Sequence, residues 1–114
     1  KISNQQNLDD MEKYWANFVD QIAFVDYVPW ENVYRSKYSE IQTPCSDLWR
    51  RLFIWWDGKV NPCDVDYKSE LSVGNIKDNT ISNLWKFGKY KELRKQHEAK
   101  FRKNVSPCNR CVLV

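Results

Sequence analysis

Four cysteines are the residues of this chain whose type and spacing could do chemistry. Cys108 and Cys111 form a C-x2-C pair, a spacing that lets two thiolates reach one metal centre while backbone amides of the tight turn bond to the sulfurs. Cys45 and Cys63 lie far upstream and would have to supply the other two ligands. The sequence therefore indicates a four-thiolate site assembled from separate segments.

Three interpretations of these cysteines compete on spacing alone. Two disulfides are disfavoured, because nothing in the sequence indicates export and C-x2-C is a poor geometry for a structural disulfide. A structural zinc site would use the four thiolates as a closed tetrahedron, and a four-cysteine iron–sulfur cluster would use the same ligands. Spacing does not separate zinc from iron. We expect nearby tryptophans to exclude water from either centre, namely Trp49, Trp55, Trp56 and Trp85.

The histidine and three aspartates near the cysteines in sequence or on a helix could also take part in a site, but each has a simpler structural role. His97 could be a ligand, but four thiolates already complete a site, so we interpret it as a helix-surface or partly packed histidine. Asp57 belongs to a turn, while Asp64 and Asp66 could bond to backbone amides of their loop or could face a substrate. No Ser-His-Asp or Cys-His arrangement and no Gly-rich phosphate loop is apparent. We therefore assign no catalytic residue and do not expect this chain to be active alone.

The stretch FIWWDGKVNPC, residues 53–63, should position one of the cysteines. Asp57-Gly58 between hydrophobic runs is a strong signal for a β-hairpin with a two-residue turn. Apolar side chains alternate onto both faces of this hairpin, so we expect both faces to be covered. The predicted register pairs Trp56 with Lys59, Trp55 with Val60 and Leu52 with Cys63.

Helical patterns lie on either side of this hairpin. Asn7 can cap a helix over about residues 8–20 with one apolar face, and residues 22–28 then favour a short buried strand.

Two helices are predicted after the hairpin. Asn79 or Thr80 can cap a short helix with Ile81, Leu84 and Trp85 inward, and Gly88 should end or bend it. The pattern predicts a further helix over about residues 89–103, with an apolar stripe of Tyr90, Leu93, His97 and Phe101.

Composition fits one compact soluble domain. The chain has 114 residues, 42% hydrophobic and 29% charged, with a net charge of +3, and no stretch long and apolar enough to cross a bilayer. Residues 86–103 hold eight Lys/Arg and two Glu, which we interpret as a solvated helix face rather than a nucleic-acid surface. Because the chain begins at Lys1 and carries no signal-peptide pattern, we expect it to be a piece of a longer protein.

From Pro44 onward the sequence resembles the SPASM/twitch domains, the auxiliary iron–sulfur modules of many radical S-adenosylmethionine enzymes. The opening signature of that family, C-x(9–15)-G-x4-C, fits Cys45, Gly58 and Cys63. The flanking stretches PCSDLW, LSVGNI, TISNLWKFGKYKELRKQH and PCNRC are also similar to the family. The resemblance implies one [4Fe–4S] cluster bound by Cys45, Cys63, Cys108 and Cys111, although zinc could substitute in a recombinant fragment.

The chain lacks several cysteines that a full SPASM domain carries. A full SPASM domain carries further cysteines and two clusters, whereas this chain has one C-x2-C, so the shorter twitch-like form with one cluster is expected. In related sequences of that family a second cysteine often stands directly after the cysteine that corresponds to Cys63, whereas this chain has Asp64 at that position. The initiating motif C-x3-C-x2-C is absent, so S-adenosylmethionine would bind only in a domain upstream of this chain.

These observations predict an α+β fold with a small β-hairpin and helices around a four-cysteine metal site. Residues 1–43 would be the helix-strand end of a partial α/β barrel with a linker, and residues 44–114 the auxiliary cluster domain. The expected function is substrate positioning or electron transfer in the modification of a peptide, protein or small molecule. The expected partners are the upstream radical S-adenosylmethionine core and such a substrate, in the cytoplasm, without nucleic acid or membrane. The alternative is a zinc-stabilised interaction module without catalysis.

Overall fold

The computed structural model describes residues 7–25 and 33–114. A three-stranded antiparallel sheet with the order β1-β2-β3 lies beside short helices and 3-10 turns. The described strands are β1 Phe53–Ile54, β2 Lys59–Asn61 and β3 Gly74–Asn75, and the described helices are α1 Leu8–Trp15, α2 Ile81–Lys86 and α3 Gly88–Glu98. The 3-10 turns are Ser46–Trp49, Arg102–Asn104 and Cys108–Arg110.

The hairpin forms where it was predicted, but its register differs by one residue. Ile54 pairs with Val60, and the Trp55 amide donates to the Lys59 carbonyl at 2.8 Å, so the loop contains three residues rather than two. The Gly58 amide donates to the Trp55 carbonyl at 2.9 Å, and Gly58 has a φ of +86°. A turn followed by a glycine in the left-handed region closes a three-residue hairpin loop. The extra loop residue shifts the strand pairing by one residue from the predicted register.

The register also decides which hairpin side chains are covered. Val60 is fully buried, whereas Trp56 at the loop is 99% exposed and Ile54 is 41% exposed. The expectation that both faces are buried is therefore wrong at the tip. β3, which the sequence did not predict as a strand, adds to β2 through the pairs Lys59–Asn75 and Val60–Gly74 and covers part of that edge.

The C-terminal helices form the core that supports the sheet. Thr80 caps α2 by accepting the Asn83 amide at 3.2 Å, as predicted, but Ile81 is exposed while Leu84 is buried. α3 ends at Glu98, earlier than predicted, and Phe101 beyond it is exposed. A hydrophobic cluster contains four buried residues, and Cys45 and Cys108 pack against it; its buried members are Leu48, Tyr90, Leu93 and Val105.

The N-terminal helix α1 is exposed and does not pack into the core. Asn7 caps α1 as predicted by accepting the Asp10 amide at 3.3 Å, but the helix ends at Trp15 and buries no residue. Residues 22–25 form no strand, and the rest of the predicted strand, 26–28, lies outside the described residues. Among the residues described, no helix combines the length and apolar character that a membrane span requires. The α+β class is confirmed, while the barrel remnant and a domain boundary at residue 43 stay predictions.

Candidate metal centre

All four cysteines line one cavity. Cys45, Cys63, Cys108 and Cys111 are free thiols, each partly buried, although they come from distant parts of the chain. Apolar side chains provide most of the remaining wall of this space, which we call the cysteine cavity; they are Val33, Leu48, Pro62, Val65, Leu71, Pro107 and Leu113. The fold therefore brings together the residues that the sequence singled out as candidate ligands.

A 3-10 turn directs Cys45 toward the cavity. The turn Ser46–Trp49 begins immediately after the cysteine, and the Leu48 amide donates to the Cys45 carbonyl at 3.3 Å. The chain therefore turns immediately after this cysteine. Leu48 is buried and lies in the cavity wall, so the turn is held by the hydrophobic core. The backbone amide of Cys45 donates to Nδ1 of His97 at 3.2 Å, which ties the cysteine to helix α3.

A loop organised by Asp66 holds Cys63. Asp66 is fully buried and accepts hydrogen bonds from the Glu70 amide at 3.0 Å, the Leu71 amide at 2.8 Å and the Tyr34 hydroxyl. This confirms the structural interpretation of Asp66. The Cys63 thiol lies 3.9 Å from a carboxylate oxygen of Asp64, a weak contact at best. Cys63 thus leaves strand β2 on a loop with its own internal hydrogen bonds.

The C-x2-C pair occupies the 3-10 turn Cys108–Arg110. The Cys111 amide donates to the Cys108 carbonyl at 3.3 Å, and the Leu113 amide donates to the Cys111 sulfur at 3.4 Å. The second contact is the amide-to-sulfur bond expected of such a turn. Upstream chain packs on the outside of this turn, because the Ser39 amide donates to the Asn109 carbonyl at 2.8 Å.

Arg102 joins these segments, and sequence reasoning missed it. It is 1% exposed, and within the described part of the chain its guanidinium donates to four backbone carbonyls. The sequence did not indicate that Arg102 is buried, because an arginine in a basic segment is usually solvated. The hydrogen-bond partners of Arg102 are main-chain carbonyls, which no sequence pattern marks. The four acceptors are the carbonyls of Cys108 at 3.1 Å, Thr43 at 3.2 Å, Cys111 at 3.0 Å and Leu113 at 2.6 Å.

The electrostatic environment of the thiols combines burial with one cation. Burial raises the pKa of Cys45, and it raises the pKa values of Cys63 and Cys108 to about 12. The positive charge of Arg102 acts in the opposite direction on the pKa values of Cys45 and Cys108. A metal bound here would displace the thiol protons, so metal binding at this cavity would release protons and depend on pH.

His97 is buried more completely than the sequence suggested. It is fully buried on α3 and lines the cysteine cavity, whereas a surface or partly packed residue was expected. Its Nδ1 accepts the Cys45 amide, and its Nε2 finds no hydrogen-bond partner among the described residues. The apolar stripe of Tyr90 and Leu93 on the same helix was the available signal for this burial, since all three residues share one face.

The predicted tryptophan shield is absent from the cavity wall. Of the four tryptophans considered, none lines the cysteine cavity in the described part of the chain, and Trp56 is almost fully exposed. Trp85 instead stacks with Arg94, whose guanidinium carbon lies 4.1 Å from the ring centroid. Arg94 also donates to the Leu48 carbonyl at 2.8 Å. Two cations of the basic segment, Arg94 and Arg102, are thus structural, and the segment is not uniformly a solvated face.

A single zinc ion and an iron–sulfur cluster would require different separations between the four sulfurs. Four thiolates around one zinc ion, at 2.3 Å each, would place the sulfurs about 3.8 Å apart. No group of three Cys, His, Asp or Glu side chains in residues 7–25 and 33–114 is arranged to hold one metal ion. Four free thiols line one largely apolar cavity beside the buried Arg102, and an iron–sulfur cluster bound there would use thiolates on different iron atoms.

The fold and the cavity thus define a small α+β domain in which four free cysteines converge. A model of the SPASM family, described as an iron–sulfur cluster-binding domain, matches residues 45–112, more than half of the chain and the span that contains every cysteine. The chain belongs to the SPASM family, as its sequence indicated, and iron–sulfur binding is the property of that family. Comparison with curated proteins gave no match, and comparison with solved structures gave none either.

Proposed function

We propose that this chain is an auxiliary [4Fe–4S] domain of a radical S-adenosylmethionine enzyme, with one cluster held by Cys45, Cys63, Cys108 and Cys111. The observation that carries the proposal is the convergence of these four free thiols on one cavity inside the span that matches the SPASM family. The chain contains four cysteines, so it can complete one four-thiolate cluster and no second one.

The proposed role is electron transfer, or support of a bound substrate, rather than direct ligation of substrate. A [4Fe–4S] cluster, when bound, supplies a one-electron redox centre whose potential depends on charge, hydrogen bonds and solvent exposure. This chain would contribute four thiolate ligands that leave no iron open, apolar walls that exclude water, and the cation of Arg102 beside Cys108 and Cys111. We expect the substrate to be a peptide, a protein or a small molecule.

The proposed partner is a radical S-adenosylmethionine core in the same polypeptide, upstream of residue 1, in a cytoplasmic enzyme. The chain has no C-x3-C-x2-C motif of its own, so initiation of radical chemistry would have to come from that core. This part of the proposal has a direct test in the upstream sequence of the parent protein. A C-x3-C-x2-C motif there would support it, and its absence from the whole upstream sequence would overturn it.

The cluster assignment is tested by anaerobic reconstitution of the full chain with iron and sulfide. We expect a brown protein with broad visible absorbance and iron and sulfide in equal amounts per chain. Cys63→Ser should lose the cluster and loosen the C-terminal region, because metal binding supplies folding energy at such a site. Trp56→Ser is the matched control, since Trp56 is exposed and lies outside the cavity wall, and it should load like wild type.

Two outcomes would contradict the proposal. A colourless protein that retains zinc and refuses iron would favour the zinc-stabilised interaction module. Native stability and full metal content in Cys63→Ser would show that the four-ligand assignment is wrong.

A further inference from the structure

The chain holds one histidine, and the fold places its ring in the wall of the cysteine cavity. His97 is 0% exposed, although it sits near the end of a helix whose neighbouring positions are mostly solvent-facing. Burial of an imidazole is unfavourable unless both ring nitrogens find hydrogen-bond partners. Nδ1 and Nε2 of His97 should therefore each have a hydrogen-bond partner.

The first nitrogen fixes the tautomer. The Cys45 backbone amide is a donor, and it lies 3.2 Å from Nδ1, so Nδ1 must be the unprotonated acceptor. A neutral imidazole with an unprotonated Nδ1 carries its hydrogen on Nε2.

The second nitrogen has no acceptor from the protein. Nε2 is buried and has no hydrogen-bond partner among the described residues. Other buried polar atoms also lack partners, but the residues that carry them, Asn61, Arg94 and Asn109, do not line the cysteine cavity. His97 is thus the residue in the described part of the chain that combines an unpaired buried N–H with a place in the cavity wall.

We infer that Nε2–H of His97 donates a hydrogen bond to a sulfur of the iron–sulfur cluster, and that His97 is a positioning and tuning residue rather than a ligand. This inference rests on the proposed function. The same ring would then hold the Cys45 backbone on one side and the cluster on the other. A sulfur acceptor in the cavity would pair the N–H that is otherwise unsatisfied.

The hydrogen bond has a redox consequence. Reduction adds negative charge to the cluster, so an N–H donor to sulfur stabilises the reduced form more than the oxidised form. Loss of the donor should therefore lower the reduction potential. We expect His97→Phe, which keeps a ring of similar shape but removes the donor, to shift the one-electron equilibrium at least tenfold toward the oxidised form, which is about 59 mV.

The experiment uses the reconstituted full chain, with iron and sulfide content measured before an EPR-monitored redox titration. His97→Gln keeps an acceptor for the Cys45 amide and an N–H for the cavity, so its potential should stay near that of wild type. Tyr90→Phe is the matched control, because it removes one buried hydrogen bond from the same helix outside the cavity wall. Its potential should not change.

A second measurement keeps the inference testable if His97→Phe fails to load. In wild type with ¹⁵N-histidine, pulsed EPR of the reduced cluster reports on His97 alone, since the chain has one histidine. A weak ¹⁵N coupling is expected, while no coupling, or one of the size of a ligand nitrogen, would overturn the inference. Equal potentials in loaded wild type and loaded His97→Phe, or an equal shift in Tyr90→Phe, would also overturn it. Failure of wild type to bind iron would instead overturn the proposed function together with this inference.

Discussion

Replacement of Arg102 should be the most damaging change outside the cysteines. Arg102→Met keeps an apolar stem of similar length but removes every donor of a guanidinium that is 1% exposed. Four backbone carbonyls then lose a donor: the Cys108 carbonyl keeps the Cys111 amide as its partner, whereas those of Thr43, Cys111 and Leu113 lose the donor that the described residues provide. These carbonyls belong to the segments that carry or flank the cysteines. The substitution therefore tests whether one buried cation holds the ligand segments together.

The expected loss of stability follows from these four acceptors. An unsatisfied buried acceptor costs about 1–3 kcal/mol, and these carbonyls belong to partly exposed residues that water can reach, so the lower end applies. Three such losses and the weakened pairing of the Cys108 carbonyl, offset partly because a charged group no longer has to be buried, amount to about 3 kcal/mol. That is a large fraction of the roughly 5–15 kcal/mol by which a small domain is stable.

Urea unfolding of the reconstituted full chain, followed by circular dichroism, measures this loss. With a slope of about 1–3 kcal/mol per molar urea, the midpoint should fall by at least about 1 M. Release of iron to a chelator should also be faster than in wild type. Lys103→Met is the matched control on the same 3-10 turn, because Lys103 is exposed and should change stability by no more than about 0.5 kcal/mol. A loss below about 1 kcal/mol in Arg102→Met would refute the reasoning.

Three further substitutions test the support of the site, each by urea unfolding of the reconstituted chain. Gly58→Ala should destabilise by about 2 kcal/mol, because its φ is +86° and a Cβ would lie 2.7 Å from the Asn75 side-chain oxygen; unchanged stability would contradict the three-residue loop. Tyr90→Phe should cost about 1 kcal/mol, because its hydroxyl donates to the Arg51 carbonyl at 2.6 Å, and a gain in stability would show that this bond contributes nothing. Trp56→Ser should stay within about 0.5 kcal/mol of wild type, and a larger loss would mean that this 99% exposed side chain packs in solution.

The sequence by itself determined the features that local chemistry controls. The C-x2-C spacing of Cys108 and Cys111, the hairpin around Gly58 and the cap at Thr80 all depend on neighbouring residues, and each feature lies where the sequence placed it. The SPASM family was also evident from the order of these elements, because its signature joins a cysteine, a glycine and a second cysteine at fixed spacing.

Local patterns could not give the exact hairpin register. A two-residue and a three-residue loop both place Asp57-Gly58 at the turn, and the choice shifts every pair by one residue. The structure has the longer loop, which sends Trp56 into solvent and keeps Val60 in the core. The predicted tryptophan shield failed for the same reason, since side-chain direction depends on register and on which elements cover each face.

Tertiary structure alone decided which polar residues serve the cysteine cavity. Arg102 binds backbone carbonyls, and every residue type offers a carbonyl, so no sequence pattern marks its partners. His97 shared an apolar stripe with Tyr90 and Leu93, which indicated burial, but the contact of its Nδ1 with the Cys45 amide joins residues 52 positions apart. Spacing identified the four sulfurs, while only the packed chain shows the charge and the donor that surround them.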